Sequence, residues 1–218
     1  MPLYISSTIR HPYVVQFASR MFLHDYAQNY FSQPWSKLLA PVPNAKLLLL
    51  LGDIGFRQAR HTHDFIQYCS KNWEKIIWIE GRKETERNID GSIPCSIPAN
   101  VIYVNKPTIL SLETKFIPDF PIHSTKSLLL YATPAIKPLY TYAELKYLQD
   151  EAKKEFYNNY LIVATYNNYS YSSEFYPANC IAWFQGSSYN NSLPTVNMYK
   201  HTDGRIMINY SPIKQLCI

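Results

Sequence analysis

The chain is short of charge, of glycine and of any long apolar run. Of 218 residues only 17% are charged and only 6 are Gly, while 47% are hydrophobic; a charged share of roughly 25% is ordinary. The apolar fraction excludes a disordered chain, the scarcity of Gly excludes a collagen-like repeat, and the want of any sustained heptad pattern excludes a coiled coil. The leucine run at 47–51 falls far short of the ~20 residues that cross a bilayer. The first 13 residues have neither a basic start nor the apolar stretch of a signal peptide. A soluble intracellular protein without a membrane span is therefore expected. The four cysteines, Cys69, Cys95, Cys180 and Cys217, are widely separated with no C-x-x-C pair. That excludes a zinc knuckle and a redox motif, leaving buried free thiols. No G-x-S-x-G elbow, P-loop or G-x-G-x-x-G is found, so serine-hydrolase, NTPase and dinucleotide chemistry have no handle.

Aromatic side chains are plentiful: 19 Tyr, 10 Phe and 4 Trp make up 15% of the chain. Tyr has an apolar body and a polar tip and is enriched where proteins meet, so this composition fits an interaction surface; a codon bias toward Tyr, Asn, Ile and Lys explains it equally. The net charge is 21 − 16 = +5, with no basic run of five. Nucleic acid is allowed as a partner by this balance and not indicated by it. The length suits a single domain over 1–218.

Short apolar runs closed by turn residues recur at 3–7, 46–51, 75–79, 100–104, 127–132, 161–164 and 180–184. Runs of about five apolar residues read as strands buried on both faces. Between them, 60–73 sets Phe65, Tyr68, Cys69 and Trp73 on one stripe, and 142–160 sets Leu145, Leu148, Ala152 and Phe156 at helical spacing. A third helix is expected over 14–31. Alternating strands and helices imply a sheet with parallel pairing. Asp203-Gly204 between 195–200 and 205–210 predicts a closing hairpin. The Pro-rich stretch 107–138 reads as an irregular excursion interrupted by Leu128–Leu130.

Ligands in α/β sheets gather beyond the carboxyl ends of the strands. There the sequence carries Gly52-Asp53, then Gly81-Arg82-Lys83-Glu84, then Thr165-Tyr166, then Gly186-Ser187-Ser188-Tyr189. This ordered set, running in register from Tyr4 to Pro212, resembles the calcineurin-like metallophosphoesterases, whose motif series is D-x-H, G-D, G-N-H-E, a His-bearing strand end and G-H-x-H. The resemblance implies a four-layer αββα sandwich of two mixed sheets flanked by helices. In the family those motifs hold two metal ions. Here the D-x-H positions fall on Ser7 and Ile9; the Asn and His of G-N-H-E are Arg82 and Lys83; the strand-end His is Thr165 or Tyr166; and the last two His are Ser187 and Tyr189. Asp53 alone of the metal-binding side chains is kept, beside Gly52, Gly81, Glu84 and Gly186.

A two-metal centre needs carboxylate and imidazole ligands from several loops at once. One carboxylate among Ser, Ile, Arg, Lys and Tyr cannot supply them, and Arg82 and Lys83 add fixed positive charge. No metal, no other cofactor and no catalytic residue is therefore expected, and Arg82 is expected to pair with Asp53 in place of a cation. His61-Thr62-His63-Asp64 could be taken for a replacement metal cluster. At i, i+2 on a helix start the two imidazoles diverge, and Thr62 or Asp64 is more simply an N-cap. Tyr166, Tyr169, Tyr171 and Tyr176, set among Asn and Ser, suit a protein-facing loop better than a nucleic-acid platform, for want of surrounding Lys or Arg.

The sequence thus predicts a pseudoenzyme with a structural or protein-interaction role, its partners other proteins, a large assembly or further copies of itself. The composition and the decay of the site point to a large DNA virus as source and to a virion or capsid-associated role. The competing readings are a divergent phosphoesterase using Asp53, Glu84 and His61 or His63, and a phosphate or nucleic-acid site at Arg82 and Lys83.

Overall fold

The structure, a computed structural model, describes residues 15–23, 34–41, 45–86, 96–112, 128–135, 150, 160–166 and 180–186. Within them the polypeptide forms two four-stranded sheets. The first has the order β1 (Val15–Ala18), β2 (Leu47–Leu51), β3 (Lys75–Ile79), β4 (Val101–Val104), with every pairing parallel. The second has the order β5 (Thr108–Leu112), β6 (Leu128–Thr133), β7 (Tyr160–Thr165), β8 (Cys180–Gln185), with β5 antiparallel to β6 and the rest parallel.

Five consecutive leucines would suit a helix by propensity. In β2 they form a strand because Gly52 ends the run after five residues and both faces are covered. All five are fully buried. Side chains alternate across the sheet, so Leu47, Leu49 and Leu51 enter the core between the sheets while Leu48 and Leu50 face the opposite side. Each such burial is worth roughly 1.5–3 kcal/mol. From the second sheet Leu112, Leu130, Ala132 and Ala164 fill the same inter-sheet core, where β2 lies against β7.

Outside the first sheet packs an amphipathic helix, Arg60–Asn72, which turns Thr62, Phe65, Ile66 and Cys69 inward. It is the second of three described helices, α1 (Trp35–Leu38), α2 (Arg60–Asn72) and α3 (Arg82–Thr85). Cys69 is a buried free thiol, as expected. Met21, Leu23, Leu39 and Trp78 complete this second core. On the outward face of the second sheet Leu129, Tyr131, Thr133 and Thr165 are buried as well, while Ser111 on the edge strand β5 is exposed.

Three expectations need correction. Residues 15–18 are strand, not helix: Val15 and Phe17 face the inter-sheet core and Ala18 the helix side, and burial on both faces overrides the helical spacing. The Pro-rich excursion contains β5. The chain crosses from one sheet to the other through Asn105-Lys106-Pro107, where proline, lacking an N–H, ends the ladder. The N-cap of α2 is Ala59, without a side-chain cap bond. Thr62 is buried inside the helix, and Asp64 lies 3.9 Å from Arg60 on its surface. Of the predicted helix 142–160, Asp150 is helical and Tyr160 opens β7; its remainder, the strand at 3–7 and the closing hairpin lie outside the described residues. Among the described residues no helix is long and apolar enough to cross a membrane.

Candidate functional site

Four strand ends converge above the inter-sheet core. At the end of β2 the backbone turns through two left-handed residues, Gly52 at φ 82° and Asp53 at φ 54°. Gly52 is required twice over: by its dihedral, and because a Cβ there would strike the Tyr166 ring and lie 2.8 Å from the Gly81 Cα. At the end of β8, a Cβ on Gly186 would overlap the Leu51 carbonyl oxygen. The strand ends are thus in backbone contact, and the two sheets are further tied where the Ala135 amide donates to the Glu80 carbonyl at 2.8 Å.

Glu84 organises the loops. As the third residue of α3 it reaches back to the N-cap amide of Gly81, as glutamate does in a capping box, and it also accepts from the β2 loop. Its Oε2 accepts from the amides of Gly81 at 2.8 Å and Asp53 at 3.0 Å. Its Oε1 accepts from the Ile54 amide at 2.7 Å and the Trp78 indole at 3.3 Å. Burial, and secondarily the Asp53 charge, push the carboxyl up to about 7 against the pull of these amides.

Asp53 is buried and satisfied in a similar way. Its Oδ1 accepts from the Lys83 amide at 3.1 Å and its Oδ2 from the Tyr166 hydroxyl at 2.7 Å. Burial raises the Tyr166 phenol, and the bond to the Asp53 carboxylate raises it further, so the phenol stays a donor. The predicted Arg82–Asp53 pair is not what holds the carboxylate. Arg82 opens α3 with its side chain exposed, while a backbone amide and a phenol, already in place through α3 and β7, satisfy Asp53 without burying a guanidinium. Lys83 carries its ammonium outward to Glu86 at 2.8 Å.

The structure therefore brings Gly52, Asp53, Gly81, Glu84, Tyr166 and Gly186 together, with Lys83 present through its backbone. Thr165 is buried on the other face of its strand, and it is Tyr166 that enters the site; Tyr166 is accordingly no part of a surface platform. Ser7, Ile9, Ser187, Tyr189, Tyr169, Tyr171 and Tyr176 lie outside the described residues. The strand paired with β2 at its free side is β1, whose end carries Ser19 and Arg20. Sequence reading missed the Trp78 indole and a second, half-buried pair, in which the Tyr103 hydroxyl donates to Glu80 at 2.5 Å and Arg57 lies 4.6 Å over the Tyr103 ring. The spacing of Trp78, Glu80 and Glu84 within seven residues was visible, but only the turn at Gly81 folds the last back toward the first.

These groups do not fit a two-metal centre. A hard cation needs carboxylate lone pairs directed at it, and here all four carboxylate oxygens of Asp53 and Glu84 are engaged by N–H or O–H donors. Among the described residues no three His, Cys, Asp or Glu side chains converge, and this includes His61 and His63. No protein-family model matches the chain, and no curated protein matches it.

Proposed function

We propose that this chain is a catalytically inactive, metallophosphoesterase-like protein, a pseudoenzyme in a four-layer αββα sandwich, whose role is structural or protein-binding. The observation that carries this reading is the internal saturation of Asp53 and Glu84 at the very strand ends where the resembled family places metal ligands. Hydrogen bonds among Tyr166, the Gly81 and Lys83 amides and the two carboxylates take over the bridging that cations would perform. Burial of Leu129, Tyr131, Thr133 and Thr165 on the outer face of the second sheet supports the fourth layer. The Tyr-rich, charge-poor composition supports a partner made of protein, in an assembly such as a viral capsid.

Elemental analysis for Mn, Fe, Zn and Ni on protein purified without chelator tests this reading, together with hydrolysis of p-nitrophenyl phosphate in added Mn²⁺. Metal far below one equivalent and no Mn²⁺-dependent turnover are expected. One or two equivalents, with activity abolished in Asp53→Ala, would establish a phosphoesterase instead. Sedimentation of the native protein reads the structural role: a lone monomer with no partner in its source particle or lysate would refute it.

A further inference from the structure

The loop segments 19–23, 52–57 and 82–86 meet over the carboxyl edge of the first sheet. The Arg20 amide donates to the Gly52 carbonyl, the Phe22 amide to the Asp53 carbonyl and the Leu23 amide to the Ile54 carbonyl; the Lys83 amide reaches the Asp53 carboxylate. The buried acids of this edge, Asp53, Glu80 and Glu84, point inward. Its cations are half-buried and held against rings: Arg20 lies 5.5 Å from the Phe22 centroid, Arg57 4.6 Å from Tyr103, and Lys83 5.8 Å from Phe56. Lys83 also pairs with the exposed Glu86. Among the described residues no carboxylate forms an ion pair with Arg20 or Arg57.

Backbone strain supplies a second, independent observation. Arg20 at φ 52°, Phe22 at φ 48° and Asp53 at φ 54° are the non-glycine residues with positive φ among those described, and all three sit in these loops. Such conformations cost free energy and gather where function holds them. Glu84 rigidifies the loops from below, so the cations are presented on a fixed frame.

We propose that this edge binds single-stranded nucleic acid, with Arg20, Arg57 and Arg82 on phosphates and the half-exposed rings of Phe22 and Phe56 offering stacking surface to bases. Arginine forks match phosphate geometry, and cations interleaved with aromatic rings are the way proteins hold single strands without reading sequence. An acidic peptide would use the cations and leave the rings idle. From β1 to β4 the sheet spans about 14 Å at the usual strand spacing, wider than one phosphate. The proposal does not depend on whether the carboxylate site below is catalytically dead.

Fluorescence anisotropy of a labelled twelve-residue oligothymidylate is the test. With about three phosphates engaged, affinity is expected to fall roughly 20-fold between 50 and 200 mM NaCl. The double variant Arg20→Gln with Arg57→Gln should weaken binding by about tenfold or more, and Phe56→Leu should weaken it without changing the salt dependence. Lys71→Gln, exposed at the far end of α2, should leave it unchanged. Should the double variant fail to fold, Arg82→Gln at an exposed position carries the same test. No binding at 50 mM NaCl, binding indifferent to these substitutions, or equal affinity for polyglutamate would each overturn the proposal, the last by assigning the edge to acidic peptides.

Discussion

The middle of β2 and its end lie a few residues apart and are equally buried, yet they are held by different physics. Leu47–Leu51 are fixed by removal of apolar surface from water, a force with no direction, so any side chain of similar volume serves. Gly52, Asp53 and Ile54 are fixed by directed hydrogen bonds to Glu84 and Tyr166 and by a backbone that only a few dihedrals satisfy. The lesson is that burial alone does not report tolerance. The strand interior should absorb conservative change, and the strand end almost none.

The comparison can be broken hardest at Gly186. Gly186→Ala puts a methyl group on the Leu51 carbonyl, and a loss of about 4 kcal/mol, or failure to fold, is expected by urea denaturation; a loss under 1 kcal/mol would mean the strand ends can part freely. Glu84→Ala orphans three amides and an indole, which should cost about 3–4 kcal/mol. Leu49→Met, just as buried, should cost under about 1.5 kcal/mol. Equal losses for these two in the same denaturant series would erase the distinction.

Acidity offers a sharper contrast. Because Glu84 holds its proton more tightly folded, at about 7, than unfolded, near 4.5, unfolding releases a proton between those values. Stability contributed by the protonated group is complete below about pH 4.5 and lost as pH rises through 7. Wild-type protein should thus lose about 2–3 kcal/mol between pH 4.5 and 8, and Glu84→Gln, neutral throughout, should flatten that slope in urea midpoints taken at each pH. Smaller still, Tyr166→Phe removes one of two donors to Asp53 and should cost about 1–2 kcal/mol. The exposed Arg60–Asp64 pair marks the floor: at 3.9 Å on the helix surface, Arg60→Ala should change stability by less than about 0.5 kcal/mol in thermal melts.

Much of the architecture was legible because it rests on local pattern. The leucine run before Gly52, the Lys75–Ile79 strand before Gly81 and the stripe of 60–73 all sit where they were read. What failed depended on neighbours distant in sequence. Residues 15–18 carry a spacing that suits a helix or a strand, and only the pairing of Val15 with Leu47 decides between them. Thr108–Leu112 becomes a strand by pairing with Leu128–Ala132 across an intervening segment. At the site, the positions of Asp53, Glu84 and Tyr166 were anticipated while their partners were not, since Arg82 looked the natural counter-ion by charge and an amide has no side-chain signature.

By itself the sequence determined that the leucine run and Lys75–Ile79 are short buried strands and that Gly52 and Gly81 follow them. Hydrophobic runs, turn residues and the presence or absence of a ligand type are properties of single positions and near neighbours. Only the tertiary structure decided that a tyrosine 113 residues away in sequence donates to Asp53, that Glu84 gathers four donors, and that the cations of three loops share one edge. A hydrogen bond is specified by distance and angle between groups that the chain brings together only once its sheets have stacked.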